Sequence, residues 1–310
     1  MPEQLLWVCC VCIDDWMSCI AMRLMRIPRA RLWFFAAGAL FAFFAVFTAI
    51  FLTGVLLYPT LYIEQWLLHR PLTGLDCVLD EWKVLGEAGG SILFTLALGI
   101  VCVLLGYRRR VLPYLFLLLL LGIAAEYVGK QAFPQVIPIN IQFGLNSLAC
   151  PQIENQPRSV KIMVGLGLWW EAPPVRPKRI KNELFSATAP LIFDENAHVV
   201  NGYPSGHAIR WCFIGLIACW LVWRHVKYRL LRILLMAVAL AIAFGGGFAQ
   251  FYIGFHLPTD LIAGYFLGTS LACCAIGILQ LNKTLPEMPV TQPVDQDAEQ
   301  GTIDVSGASE

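Results

Sequence analysis

Residues 108–130 read RRRVLPYLFLLLLLGIAAEYVGK: three arginines, an apolar run over 111–129, and a lysine at its far end. A helix needs about 20 mainly apolar residues to cross ~30 Å of hydrocarbon, and this run has that length. It is bounded on both sides by cations, as a membrane span is. Unpaired backbone groups cost several kcal/mol each in lipid, so a helix is the only open-chain structure that satisfies the run. The sequence therefore predicts an all-α, polytopic membrane protein.

Five further runs of this kind lie outward from it, at 32–58, 88–106, 205–223, 230–252 and 258–280. The prediction is a six-transmembrane-helix bundle over 33–281. Arg108, Arg109 and Arg110 precede the third span, Arg224, Lys227, Arg229 and Arg232 lie between the fourth and fifth, and Arg23, Arg26, Arg29 and Arg31 precede the first. All three groups fall on one side, which the positive-inside rule makes cytoplasmic. Both termini are then cytoplasmic, as expected of a bacterial inner-membrane protein. Segments 59–87, 131–204 and 253–257 face outward. The long segment 131–204 is rich in Pro, Asn and Gln and reads as an extracytoplasmic cap loop. Its basic residues Arg176, Lys178, Arg179 and Lys181 lie in a loop too long for the rule to govern.

Residues 1–32 carry Glu3, Asp14 and Asp15 where a signal peptide would not. They read as an interfacial cytoplasmic segment or as the product of an early start. Residues 282–310 are acidic, rich in Pro, Gln, Asp and Ser, and are expected to be a disordered cytoplasmic tail. Charged residues make up 14% of the 310, against about 25% in soluble domains, and this excludes an ordinary soluble domain. No basic stripe or nucleic-acid-binding module occurs, so nucleic acid is not an expected partner. The 11 cysteines form no metal pattern. Cys102, Cys212, Cys219, Cys273 and Cys274 lie in apolar runs, as small hydrophobes do. Cys9, Cys10, Cys12 and Cys19 are free thiols or acylation sites. Cys77 and Cys150 share the outer side, where an oxidising compartment would let them pair.

Chemistry concentrates at outer helix ends. Tyr203-Pro204-Ser205-Gly206-His207 opens the fourth span. Ser205 suits an N-cap, Gly206 lets a ligand approach the backbone, and a helix N-terminus is an anion site. His256-Leu257-Pro258-Thr259-Asp260 opens the sixth, with Asp260 spaced to meet His256. A carboxylate on one imidazole nitrogen fixes the tautomer and leaves the other nitrogen nucleophilic. Lys130 ends the third span; it reads either as a phosphate ligand or as the salt-bridge partner of Glu126, four residues earlier.

These residues resemble the type-2 phosphatidic acid phosphatase family, over roughly 90–280. The family's Pro-Ser-Gly-His is present as Pro204, Ser205, Gly206 and His207. Its third motif, Ser-Arg-x5-His-x3-Asp, is met by His256 and Asp260, with Ala249 and Gln250 in place of Ser-Arg. Its first motif, Lys-x6-Arg-Pro, is met by Lys130 and Pro138, with Ile137 in place of Arg. The resemblance implies a metal-independent, cofactor-free lipid phosphatase or phosphotransferase. In it, His256 attacks phosphorus to form a phosphohistidine, Asp260 orients His256, and His207 protonates the leaving alkoxide and then activates water. Lys130 and the backbone at Ser205 and Gly206 hold the phosphoryl oxygens.

Both family arginines are replaced, and neither Ile nor Gln makes a bidentate phosphate contact. Either another arginine substitutes (Arg210, Arg158, Arg176 or Arg179), or the substrate carries less charge, or the site binds without turnover. The expected partners are a lipid-linked phosphate or diphosphate and the membrane itself. The alternatives are a non-catalytic lipid-phosphate binder or transporter, for which Gly245-Gly246-Gly247 would unwind the fifth span, and an interaction subunit using Trp169 and Trp170. Oligomeric state has no signal in the sequence.

Overall fold

The computed structural model describes residues 28–68, 70, 74–138, 148–149, 178–179 and 198–282. The N-terminal segment 1–27, the middle of the cap, Cys150, Trp169, Trp170, Arg158, Arg176 and the tail lie outside the described residues, as do the side chains of Cys77 and Arg179. Eight helices appear among them: α1 (Pro28–Leu52), α2 (Leu57–Leu68), α3 (Gly74–Gly86), α4 (Ala88–Leu104), α5 (Val111–Ala132), α6 (Gly206–His225), α7 (Arg229–Tyr252) and α8 (Pro258–Leu281). Short strands β1 (Gln135–Ile137), β2 (Leu148–Ala149), β3 (Lys178–Arg179) and β4 (His198–Val200) complete the described set. The chain is an all-α, multi-pass integral membrane protein.

Among the described residues, five helices are long and apolar enough to cross a membrane: α1, α5, α6, α7 and α8. The second expected span, 88–106, corresponds to α4, which reaches the length of a span only together with part of α3, as a broken span or a re-entrant loop. Residues 78–86 of α3 and all of α4 form one apolar path bent by 62° at Glu87. The expected outer loop 59–87 is largely helical, as α2 and α3. The first span also stops earlier than predicted, at Leu52, because Thr53-Gly54 turns the chain. Gly54 has φ +75°, a conformation that glycine alone adopts easily.

Burial separates the helices into two sets. Some 61% of the apolar window of α6 and of α8 is buried within the protein, against 28% for α5, 22% for α7 and 6% for α1. So α6 and α8 form the centre and the others present a face to lipid. The core joins Leu115 and Leu119 of α5, Phe213 and Ile217 of α6, and Ala272, Ile276 and Leu279 of α8. Water drives no helix association in lipid, and close contact between small residues replaces it. A β-carbon on Gly215 would meet Ala243 Cβ at 2.6 Å and Ala239 O at 2.8 Å, so α6 and α7 touch backbone to backbone there. The triple glycine of α7 is helical rather than unwound, with Gly245 facing open space and the next two packed. Gly246 lies against the Trp211 ring and Gly247 against Ala208, and α7 runs through both.

Two sets of contacts define the ends. At one end Tyr107 OH meets His225 Nε2 at 3.0 Å, and Arg108 N–H donates to Asn282 O at 3.1 Å. Burial pushes the Tyr107 phenol up to about 12, so it stays neutral. At the other end β1 and β4 pair antiparallel, Gln135 opposite Val200 and Ile137 opposite His198, and clip together the two ends of the cap segment. Beside them Tyr203 stacks on Phe51 at 4.3 Å and shares a 2.6 Å hydrogen bond with Thr48 Oγ1. These contacts tie the start of α6 to α1.

Candidate active site

Ser205 begins the site by beginning α6. Its side chain accepts from Ala208 N–H at 3.5 Å, its own N–H donates to the Asp260 carbonyl at 3.0 Å, and it is fully buried. The two motif helices are thereby joined at their first residues. Gly254, with φ +87°, closes the turn after α7 and sends His256 towards α6. Leu257 then caps α8, and Pro258 takes its first position, where no N–H is needed.

Asp260 is 1% exposed, and three donors converge on its carboxylate. His256 Nδ1 lies 3.4 Å from Oδ2, Leu257 N–H donates to Oδ2 at 3.1 Å, and Gln135 Nε2 donates to Oδ1 at 2.6 Å. A buried carboxylate needs such partners. The backbone passes close by at Gly202, where a β-carbon would fall 2.5 Å from Asp260 Oδ2. With Nδ1 turned to Asp260, Nε2 is the nitrogen of His256 left for other work.

His207 faces His256, with ring centroids 6.5 Å apart. Its Nε2 is 3.0 Å from the carbonyl of Lys83, on α3. A carbonyl only accepts, so Nε2 carries the proton and Nδ1 is the nitrogen open to proton transfer. The fit is close: a β-carbon on Gly86 would lie 2.4 Å from His207 Cδ2 and 2.5 Å from Trp211 Nε1.

Glu126 joins the two cations. Lys130 Nζ donates to its Oε1 at 2.7 Å, and Arg210 Nη1 donates to its Oε2. Arg210 is further held by Nε donating to Gly86 O at 2.8 Å. Both readings of Lys130 thus meet at one place: it pairs with Glu126 and it lines the site.

His207, His256, Asp260, Lys130 and Arg210 line one cavity of about 600 Å³, with Lys83, Glu87, Glu126, Asn201, Gly202 and Gln250 among its other walls. Ser205 and Gly206 are not among its walls, though Gly206 packs on the Glu126 carboxylate, which is. Sequence reasoning missed Lys83, Glu87 and Gln135. Ile137 takes no part. It is 1% exposed and packs with Leu61 and Leu257. The family's arginine position here faces an apolar cluster, while its strand neighbour Gln135 reaches Asp260 instead.

No curated protein matches the chain. Among solved structures it is similar to a transmembrane PAP2 type phosphatidylglycerolphosphate phosphatase from Bacillus subtilis, with 17% sequence identity, a TM-score of 0.47, and coverage of 79% of this chain and 96% of that one. The stretch that carries His207, Arg210, His256 and Asp260 has a family signature of its own: residues 162–283 match the model of the PAP2 superfamily.

Proposed function

We propose that the chain is a lipid phosphatase or phosphotransferase that cleaves a phosphomonoester or diphosphate on a lipid-linked substrate at the outer leaflet. The observation that carries this reading is the pair of imidazoles, 6.5 Å apart across a cavity that also holds Lys130 and Arg210. Each imidazole has one nitrogen bound by an acceptor and one left over: Asp260 holds His256 Nδ1, and the Lys83 carbonyl holds His207 Nε2.

The chemistry follows from those free nitrogens. His256 Nε2 attacks phosphorus, the P–O bond to the lipid alcohol breaks, and its electron pair leaves on the alkoxide. His207, protonated at Nδ1, gives that proton to the alkoxide. Water then attacks the phosphohistidine, His207 Nδ1 takes its proton, and the P–N bond breaks; a second alcohol in place of water makes the reaction a transfer. Neutralising the negative charge on the equatorial oxygens is the main demand of phosphoryl transfer, and Lys130 and Arg210 are the cations that would meet it.

A phosphate-release assay on lipid phosphates, with wild type beside His256→Ala, tests the reading. Release should fall to background in His256→Ala. Equal release from the two proteins would discard the catalytic proposal. The second reading, binding without turnover, draws on Glu126, which already neutralises one of the two cations. Phosphate binding without release from any substrate would favour it.

A further inference from the structure

The mechanism above gives Glu126 no part, yet its carboxylate is held on three sides. Its side chain is 13% exposed, between Arg210 at 6% and Lys130 at 33%. On its remaining side it lies against the first residue of α6. A β-carbon on Gly206 would fall within 2.0–2.1 Å of the carboxylate atoms. The Glu126 carboxylate therefore fills the hollow over a helix N-terminus, between two cations, which is where a phosphoryl group would be bound. Stability does not account for the arrangement. A buried ion-pair triad is often no more stable than apolar residues of the same volume, and an ionisable residue in a membrane helix is costly.

A second observation points to a ligand in the same cavity. Gln250 of α7 is 2% exposed and lines it, and its amide Nε2 has no hydrogen-bond partner among the described residues. A buried donor left unmade costs about 1–3 kcal/mol, so a group that accepts from it is expected there.

We propose that Glu126 is an internal counter-anion in the phosphoryl subsite: it holds Lys130 and Arg210 between substrates and is displaced from both by an incoming phosphoryl group, to which Gln250 donates. The inference rests on the phosphoryl-binding reading above. Its consequence is charge control. Two cations less one carboxylate leave +1, Lys83 is paired with Asp80 at 3.0 Å, and Glu87 adds a further carboxylate to the cavity wall. The subsite is thereby kept from holding inorganic phosphate, the product, too tightly.

Titration of the purified full chain in lipid nanodiscs with inorganic phosphate and orthovanadate, followed by calorimetry, tests this. Glu126→Gln should bind both anions at least about tenfold more tightly than wild type, because a charge-assisted competitor is gone. A residue that merely positions Lys130 and Arg210 predicts the opposite sign, so equal or weaker binding in Glu126→Gln overturns the inference. Gln250→Leu should weaken binding by about 2–10-fold; unchanged affinity overturns its part. If Glu126→Gln fails to fold, Glu126→Ala carries the same expectation, and failure of both makes Glu126 structural and overturns the proposal. If no protein binds phosphate and none releases it from lipid, the phosphoryl reading itself falls. Wild-type binding with no tightening in the variants sinks only the role of Glu126.

Discussion

Asp260 shows how much a single residue is asked to do. It orients His256 through Oδ2, caps its own helix through Leu257 N–H, accepts from Gln135, and holds Ser205 through its carbonyl. Asp260→Asn should keep the last of these and disturb the first, since an amide NH2 cannot fix the same tautomer. The expected result is a loss of at least about 10²-fold in kcat with little change in KM and normal detergent-solubilised yield. A fall in KM-level affinity with kcat intact would instead make Asp260 a substrate-binding group. The His and Asp positions were legible in the sequence because their chemistry is local: Ser205 two residues before His207, and His256 four before Asp260. Arg210 was legible as one of four candidate arginines. Of these, α6 turns Arg210 towards Glu126, while Arg158, Arg176 and the side chain of Arg179 lie outside the described residues. Lys83 and Gln135 were not legible. They reach the site from segments far away in the chain, and no spacing marks a backbone carbonyl that meets an imidazole 124 positions on, or an amide that meets a carboxylate 125 positions on.

Helices carry the site only if they sit close together, and the closeness of α6 to its neighbours rests on small residues. At Gly215 the backbones of α6 and α7 come into direct contact. Gly215→Val would force the helices apart against Ala243 and is expected to cost about 1–3 kcal/mol, as overpacking does. The check is thermal unfolding in detergent, where a lower Tm with a parallel loss of activity is expected. An unchanged Tm would mean that the α6–α7 contact is looser than its geometry. The same scale explains which elements sequence reasoning found. Spans were legible because lipid leaves a long apolar run no other structure. Helices α2 and α3 were read as loop because each is shorter than a span. Helix α3 also mixes Asp76, Asp80 and Lys83 with its apolar residues, as a helix lying at an interface does. Yet α3 supplies the carbonyl that fixes His207 and the one that holds Arg210, so the missed element is also the missed half of the site.

The whole molecule is polarised along the membrane normal. Tyr107–His225 and Arg108–Asn282 gather three chain segments at one end, and the cavity with both imidazoles opens at the other. The basic groups Arg108 to Arg110 and Arg224 to Arg232 belong to the first end, among loops short enough for charge to set orientation. Near an anionic inner surface each such residue is worth about 1 kcal/mol, so the group as a whole outweighs any single substitution. The orientation this predicts places the site on the extracytoplasmic face. A protease-cleavage sequence inserted after Lys227 should be cut only once the inner membrane is opened, while one inserted after Asn155, in the cap segment, should be cut in spheroplasts with that membrane unbroken. The reverse pattern would turn the cavity towards the cytoplasm and require a substrate in the inner leaflet. Cleavage of both sites in unbroken spheroplasts would mean that the helix ends do not lie on opposite faces of one bilayer, and the six-span path through the bent α3–α4 pair would have to be redrawn.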